Sequence, residues 1–206
     1  MLQFSIVTAL IQLVMIICVI TYVTLFLFGI QQGKVRPVLA TWLFFSLATL
    51  LSFLTNFAQN GVSGILANSF NITDTIGVWT IFLVVVFHKD TRKQFTKFEK
   101  WCIGAVTVIF IGWLISGQNI AAHLSIQTIL IIAYLPTLAH LWRSTKNTET
   151  LGGWSFDSLA SIFGIIEPLK TMALLPLVYG IRSIVSTLTV IALILRLKYQ
   201  ERHRSP

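Results

Sequence analysis

The chain has 206 residues, of which 55% are hydrophobic and 11% are charged, and its formal net charge is +8. A soluble domain carries about 25% charged residues, so this chain has too few charges to cover a water-facing surface. Its mean hydropathy of +0.82 agrees with that. The composition therefore excludes an ordinary soluble domain and predicts a polytopic membrane protein. The basic residues stand in short runs between apolar segments, where they indicate membrane topology, so we expect no nucleic-acid partner.

Seven apolar segments are predicted to cross the lipid bilayer, because a spanning helix needs about 20 apolar residues. In chain order they are 4–28, 38–58, 73–87, 101–115, 120–142, a segment that begins near Trp154 and is interrupted at Glu167-Pro168, and 175–195. The uncharged stretch 59–72 is rich in Asn, Gly and Ser, and it is predicted to be a loop. Alternatively, the third helix begins earlier, near residue 67.

The basic residues occupy every second loop of this arrangement. They lie in residues 29–37, 89–100, 143–149 and in the tail 196–204, whereas the other loops carry almost none. An excess of Lys and Arg marks the cytoplasmic side, so the pattern predicts an N-terminus outside and a C-terminus in the cytoplasm. Six or eight helices would break this alternation. The run 89–100 is predicted to be a topology anchor, with binding of anionic lipid or of a partner as the alternative.

The chain contains an internal repeat with a constant offset of 112 residues. Seven identities show it: Tyr22 and Tyr134, Lys34 and Lys146, Trp42 and Trp154, Phe44 and Phe156, and Ser46-Leu47-Ala48 and Ser158-Leu159-Ala160. The repeat predicts two three-helix units, 1–98 and 119–206, joined by a linker helix within 99–118. Because the linker helix restores the orientation, the units are parallel and are related by a pseudo-two-fold axis along the membrane normal. We expect a binding site on that axis.

The predicted fold is thus all-α, with seven transmembrane helices in a 3+1+3 arrangement. Together with a proline near the end of the first helix of a unit and a basic turn after it, this arrangement resembles the PQ-loop superfamily. That superfamily includes the SWEET sugar transporters, the lysosomal amino-acid exporters related to cystinosin, the PnuC vitamin transporters and the KDEL receptor. The Pro-Gln pair of the family corresponds to Pro136-Thr137 in the second unit and to Thr24-Leu25 in the first.

The SWEET resemblance points to two positions in the third helix of each unit. SWEET-type members carry an asparagine one turn before a glycine, facing the central pocket. The stretch Asp74-Thr75-Ile76-Gly77 is similar to that site, with aspartate in place of asparagine, and the offset places Ser186-Thr187 there in the second unit. The resemblance implies that Asp74 and Ser186 face the pocket, and that the aspartate acts as in proton-coupled relatives.

Three charged residues inside apolar segments are candidates for function. An ionisable group within the bilayer costs about 3 kcal/mol on insertion scales, so Asp74 is predicted to bind a proton or a substrate amine, unless it caps the third helix. Glu167 precedes the helix-breaking Pro168, and it is either a proton-coupling residue at a hinge or half of an outer ion pair with Lys170. Arg182 can pair with one of these acids or bind an anionic substrate group.

Other polar residues and prolines are candidates for weaker roles. The side chains of Asn56, Gln127 and Thr187 are predicted to hydrogen-bond the substrate, with interhelical hydrogen bonds as the alternative for the two amides. Pro136 and Pro168 are predicted hinges. A further pair, Trp42 and Trp154, stands at cytoplasmic helix ends, so both are predicted to anchor the chain at the membrane interface.

No metal, cofactor or enzyme chemistry is expected. The histidines share no metal-ligand spacing, and both cysteines, Cys18 and Cys102, are predicted to be buried apolar residues. The stretch Gly61-Val62-Ser63-Gly64 matches the serine motif of rhomboid proteases, but no histidine stands where it would serve as the base.

These observations predict a membrane transporter for a small polar solute, such as an amino acid, a sugar or a vitamin-like compound. It would work by alternating access, with Asp74 as the candidate for proton coupling. The alternative is a seven-helix receptor or membrane-partner protein without net transport. The expected partners are the lipid bilayer, the substrate and, for a coupled carrier, protons; a homo-oligomer is left open. A bacterial inner membrane is the predicted location.

Overall fold

The computed structural model describes residues 6–67, 69–88, 94–116, 119–172 and 174–204, and all regular structure within these ranges is α-helical. The helices are α1 (Ile6–Gln31), α2 (Leu39–Ala67), α3 (Ser69–Phe87), α4 (Lys97–Ser116), α5 (Asn119–Arg143), α6 (Leu151–Gly164), α7 (Ile166–Thr171) and α8 (Leu174–Arg204). The predicted all-helical class is confirmed.

Four of the described helices contain stretches long and apolar enough to cross a membrane: Ile6–Gln31, Ser69–Phe87, Leu124–Arg143 and Pro176–His203. A shorter apolar stretch, Leu39–Leu54, lies in α2. Large apolar side chains cover much of the outer surface, as at Leu10, Ile20 and Ile76, which are all about half exposed or more. A surface of this kind suits lipid and not water. The chain is therefore a helical protein with the character of an integral membrane protein.

The predicted loop 59–72 is wrong, because α2 continues to Ala67 and α3 already begins at Ser69. Asn, Gly and Ser lower helix propensity by no more than about 1 kcal/mol each, which tertiary contacts readily offset. One such contact is the hydrogen bond of 2.6 Å that the Asn71 amide donates to Ser52 Oγ. The earlier start of α3 places Asp74 inside the helix and not at its cap.

The predicted sixth helix is divided into α6 and α7. The chain leaves the helix at Ile165, and Met172, the residue after the end of α7, has a left-handed φ of 51°. Pro168 explains the break, because its ring conflicts with the carbonyl of the residue four positions earlier, which is Gly164, the last residue of α6. By contrast, Pro136 lies within an uninterrupted α5. Helix α6 also begins earlier than predicted, because Thr150 caps it by accepting a hydrogen bond of 3.1 Å from Gly153 N.

The helices pack in a defined order around a common centre. Helix α1 contacts α3 and α6, α2 contacts α3 and α5, α5 also contacts α4 and α8, and α6 contacts α8. The four helices α1, α2, α5 and α6 thus meet through the pairs α1 with α6 and α2 with α5, while α3 and α8 pack against them.

An aromatic cluster of Phe26, Trp42 and Trp154 fills the space where α1, α2 and α6 meet. The ring of Phe26 lies 5.0 Å from the ring of Trp42 and 5.4 Å from that of Trp154, both edge to face. Both tryptophans are almost fully buried. Their predicted role as interface anchors is therefore wrong, because the bundle centre takes up their apolar area.

Three of the segments that carry basic residues meet at one end of the bundle, which we call the basic end. The backbone N–H of Arg36, between α1 and α2, donates to Thr148 O at 2.9 Å, between α5 and α6. The backbone N–H of Asn147 in turn donates to Glu201 Oε1, near the end of α8, at 2.8 Å. These contacts bring together segments that the alternation of basic loops assigns to the same side.

Candidate functional site

A small polar cavity lies at the centre of the bundle. Its volume is about 20 Å³, which is enough for about one water molecule. Six helices contribute to its wall, among them α2 through Trp42, Phe45 and Thr49. Its principal polar residues are Tyr22, Asp74, Tyr134, Asp157, Arg182 and Ser183. Because the wall is drawn from both halves of the chain, any relative movement of the halves changes the cavity.

Asp74 is the best connected of the polar residues in the cavity. It is 8% exposed, and both of its carboxylate oxygens accept hydrogen bonds. The Tyr22 hydroxyl on α1 donates to Oδ1 at 3.1 Å, and the Tyr179 hydroxyl on α8 donates to Oδ2 at 2.6 Å. A buried carboxylate requires such partners. The capping alternative for Asp74 is therefore excluded, and the side chain lies at the cavity.

Gly77 makes the contact between Tyr22 and Asp74 possible. A Cβ atom at residue 77 would overlap the Tyr22 hydroxyl and lie 3.0 Å from Val23 Cγ2. Only a glycine one turn after the acid lets α1 approach α3 this closely. The glycine of the motif thus has a packing role that the sequence alone did not reveal.

Asp157 is a second buried acid of the cavity, and sequence analysis did not single it out. It lies on α6 and is 9% exposed. The offset of 112 pairs it with the apolar Phe45, so the two copies differ in charge at this position. An acid within an apolar helix was itself a signal for function.

Arg182 supplies the positive charge of the cavity. Its Nε donates a hydrogen bond of 3.1 Å to Gln127 Oε1, and its guanidinium carbon lies 4.8 Å from the centre of the Tyr179 ring. The predicted residues Arg182 and Gln127 are thus brought together, with Gln127 orienting the guanidinium. The formal charges of the cavity are two carboxylates, Asp74 and Asp157, and one guanidinium.

Two predicted substrate residues on α8 require correction, because the structure brings Ser183 and not Ser186 to the cavity. Ser183 lies next to Ser161, whose hydroxyl donates to it at 2.8 Å. Ser186 is half-buried and lines no part of the cavity, and the Thr187 hydroxyl donates to Ser183 O of its own helix at 2.9 Å. The offset identified the helix correctly but missed the facing residue by about one turn.

Glu167 and Pro168 lie apart from the central cavity. Lys170 Nζ is 3.4 Å from Glu167 Oε2, and the Thr8 hydroxyl donates to the same oxygen at 3.4 Å. Glu167 and Pro168 line a separate small cavity with residues of α1, α3 and α6. This geometry favours the ion-pair alternative for Glu167 over a role at the central site.

The side chain of Asn56 lies outside the described part of the structure, so its predicted role stays a prediction.

Within the described ranges, no group of three or more His, Cys, Asp or Glu side chains lies close enough together to hold a metal ion. Comparison of the chain with protein-family models, with curated proteins and with solved structures found no match. The described part of the chain is thus all-helical, and several of its helices are long and apolar enough to span a membrane. The particular feature of this protein is a charged cavity at the centre of the helices.

Proposed function

We propose that the protein is a membrane transporter that moves a small polar solute through the central cavity by alternating access. The observation that carries this proposal is the position of Asp74 between Tyr22 and Tyr179. Tyr22 belongs to the first half of the chain and Tyr179 to the second. A proton or a substrate amine that binds Asp74 competes with these hydroxyls, and it thereby weakens a connection between the two halves.

The proposed architecture is the 3+1+3 arrangement, with units 1–98 and 119–206 and a linker helix within 99–118. The principal helix contacts support it, because they are preserved when α1, α2 and α3 are exchanged for α5, α6 and α8. The contacts of α1 with α3 and α6 then become those of α5 with α8 and α2. Helix α4, which packs on α5, is the linker, and α6 with α7 counts as one interrupted crossing, giving seven in all.

The charges of the cavity favour a cationic or zwitterionic solute. Two carboxylates, Asp74 and Asp157, outnumber the single guanidinium of Arg182, so a proton or an amine would balance the formal charge. A volume of about 20 Å³ admits no larger solute, so the units have to separate on one side at a time. We place the basic end in the cytoplasm by the excess of Lys and Arg, and the protein in a bacterial inner membrane.

Counterflow in proteoliposomes tests this proposal. The purified protein is screened with labelled amino acids, sugars and vitamins, with and without a pH gradient. Exchange of a solute supports transport, and we expect Asp74→Asn to abolish the effect of the pH gradient on it. Glu167→Gln is the matched control, because it changes an acid that lies outside the central cavity.

Three outcomes would contradict the proposal. One is full pH-driven activity in Asp74→Asn. Another is an equal loss in both variants. The third is binding of a solute without any exchange, which would favour the receptor alternative. Insertion and gel-filtration behaviour of both variants have to match those of the unchanged protein.

A further inference from the structure

A second cavity lies at the basic end, and none of the described residues lines both it and the central cavity. Its volume is about 330 Å³, within the range of small-ligand sites. Four polar residues line it: Arg36 in the α1–α2 loop, His88 directly after α3, His140 in α5 and Thr148 in the α5–α6 loop. It therefore lies where both halves of the chain contribute loops.

Backbone hydrogen bonds hold this wall in place. Gly29 O accepts from both Lys34 N and Val35 N at 3.0 Å, and Gly33 takes the left-handed φ of 67° that this turn needs. The bond from Arg36 N to Thr148 O, at 2.9 Å, then ties the turn to the α5–α6 loop. The cavity is thus preformed, which reduces the cost of ordering it around a ligand.

The donors of the wall suit an anion with several oxygen acceptors. Arg36 offers a planar guanidinium, which can bind two phosphate oxygens at once. His88 and His140 add imidazole nitrogens, and Thr148 adds a hydroxyl that lies 3.1 Å from His140 Nε2. Among the residues that the structure describes, none of those that line the cavity is acidic.

The C-terminal ends of the helices near this cavity disfavour a bound anion electrostatically. Helices α1, α3 and α5 all end at the basic end, and the carbonyl end of a helix carries roughly half a negative charge. These partial charges act mainly within the last turn, whereas Arg36 contributes a full positive charge from the wall itself. Binding of an anion is therefore expected to depend on Arg36, which lines the cavity, and not on Lys34 of the same loop, which is exposed and does not line it.

We propose that this cavity binds a phosphate group, either of an anionic phospholipid headgroup or of a soluble phosphate compound. The apolar part of the wall, which includes Ile30, Val38 and Leu39, leaves room for the carbon atoms that such a group carries. A phosphate held between Arg36 and His140 links the α1–α2 loop to α5, and it stabilises the basic end of the bundle.

The test compares Arg36→Gln with Lys34→Gln in the full-length protein. Both substitutions remove one positive charge from the same loop, but Lys34 is exposed and lines no part of the cavity. Neither removes the backbone bond of Arg36 to Thr148. Arg36→Lys, which keeps the charge, and His140→Gln are the second variants should Arg36→Gln fail to fold.

Two probes distinguish the sources of the phosphate. Inorganic phosphate is titrated against the protein in neutral detergent, and the lipid is tested in vesicles of phosphatidylcholine with or without phosphatidic acid. The readout is the shift in melting temperature, which rises with bound ligand. We expect a shift with at least one probe and an affinity lower by about tenfold in Arg36→Gln than in Lys34→Gln, as expected for one charge-assisted hydrogen bond.

Each result decides for or against the site. A shift with inorganic phosphate points to a soluble compound, and a shift with phosphatidic acid alone points to a headgroup. Equal losses in Arg36→Gln and Lys34→Gln would show that the effect is one of general charge, and they would overturn the proposal. If neither probe shifts the melting temperature, the proposal is overturned as well.

Discussion

The Tyr179 hydroxyl donates a hydrogen bond of 2.6 Å to Oδ2 of Asp74, and this bond joins α8 to α3 across 105 positions of the chain. The partner on the other side is Tyr22, whose hydroxyl bonds Oδ1 at 3.1 Å. The acid is therefore held between two helices that belong to opposite halves of the molecule. Any solute or proton that binds Asp74 acts on this connection.

Tyr179→Phe is expected to lower the stability of the protein. It removes the donor to Asp74 Oδ2 and leaves a buried carboxylate oxygen without that partner, at a cost of about 1–3 kcal/mol. For a chain of this size the melting temperature should fall by about 2–4 °C per kcal/mol. Thermal unfolding in detergent measures it, with Tyr199→Phe as control because Tyr199 is 66% exposed on the same helix. Equal melting temperatures for the two variants would contradict the prediction.

Gly77→Ala is expected to destabilise the protein by about 1–3 kcal/mol, because the added methyl group meets the Tyr22 hydroxyl. Gly104→Ala on α4 is the matched control, since a Cβ atom there meets nothing within 4 Å. Because Gly104 lies in a helix interior, Gly104→Ala should increase the free energy of unfolding by up to about 1 kcal/mol.

The double variant Tyr22→Phe with Gly77→Ala tests the cause of this effect. Removing the hydroxyl relieves the closest of the contacts that the added methyl group makes, so the double variant should lose less stability than the sum of the single changes. Additive losses in thermal unfolding would show that Tyr22 and residue 77 do not interact.

Glu149 is expected to make stability fall as the pH rises. It is buried in the α5–α6 loop, and burial raises its pKa from 4.5 to about 7, although the Trp154 indole N–H, which donates to Oε2 at 3.0 Å, lowers the pKa in part. Its Oε1 is buried without a hydrogen-bond partner. Below pH 4.5 both the folded and the unfolded chain hold the proton, whereas between the two pKa values only the folded chain holds it.

The free energy of unfolding should therefore decrease between pH 4.5 and about 7, by about 1.4 kcal/mol per unit of pKa difference, and stay low above that range. Glu149→Gln should remove this contribution while keeping an acceptor for Trp154. The measurement is the melting temperature of both proteins from acid to neutral pH. Glu201→Gln, an exposed acid at the same end, serves as control. Parallel curves for the unchanged protein and Glu149→Gln would refute the assignment.

Arg182→Lys is expected to reduce the proposed transport by about tenfold, although it keeps the positive charge. Lysine lacks the planar guanidinium that lies over Tyr179 and the Nε that donates to Gln127. The loss of one hydrogen bond to a charged group is worth about 1.4 kcal/mol or more, which is about tenfold. The measurement is the initial rate of counterflow.

Arg196→Lys is the control for that experiment. Arg196 lies on the same helix, and its guanidinium carbon lies 4.5 Å from the ring centre of Trp142, away from the central cavity. The two substitutions therefore remove the same kind of contact at different places. Equal rates for both variants would argue against a role for Arg182 in the cavity.

Part of the site was predictable from isolated positions. Asp74 and Arg182 were recognised because a charge within an apolar segment is costly and thus informative wherever its partners lie. By the same argument Asp157 should have been recognised, but it stood inside a repeat motif at the expected start of a helix. Ser183 was missed for another reason, since a fixed offset transfers a position between copies without showing which way the helix is turned.

Features that depend on local composition could be predicted from the amino-acid sequence. Few charges and long apolar segments specify a helical protein of membrane character, and Pro168 specifies a break in the sixth helix because its conflict with Gly164 is local. The tertiary structure was needed for features that depend on contacts between distant segments. It showed that residues 59–72 are mostly helical, that Trp42 and Trp154 are buried, and that two tyrosines hold Asp74. These contacts join residues tens of positions apart, and their energies arise only when the helices pack.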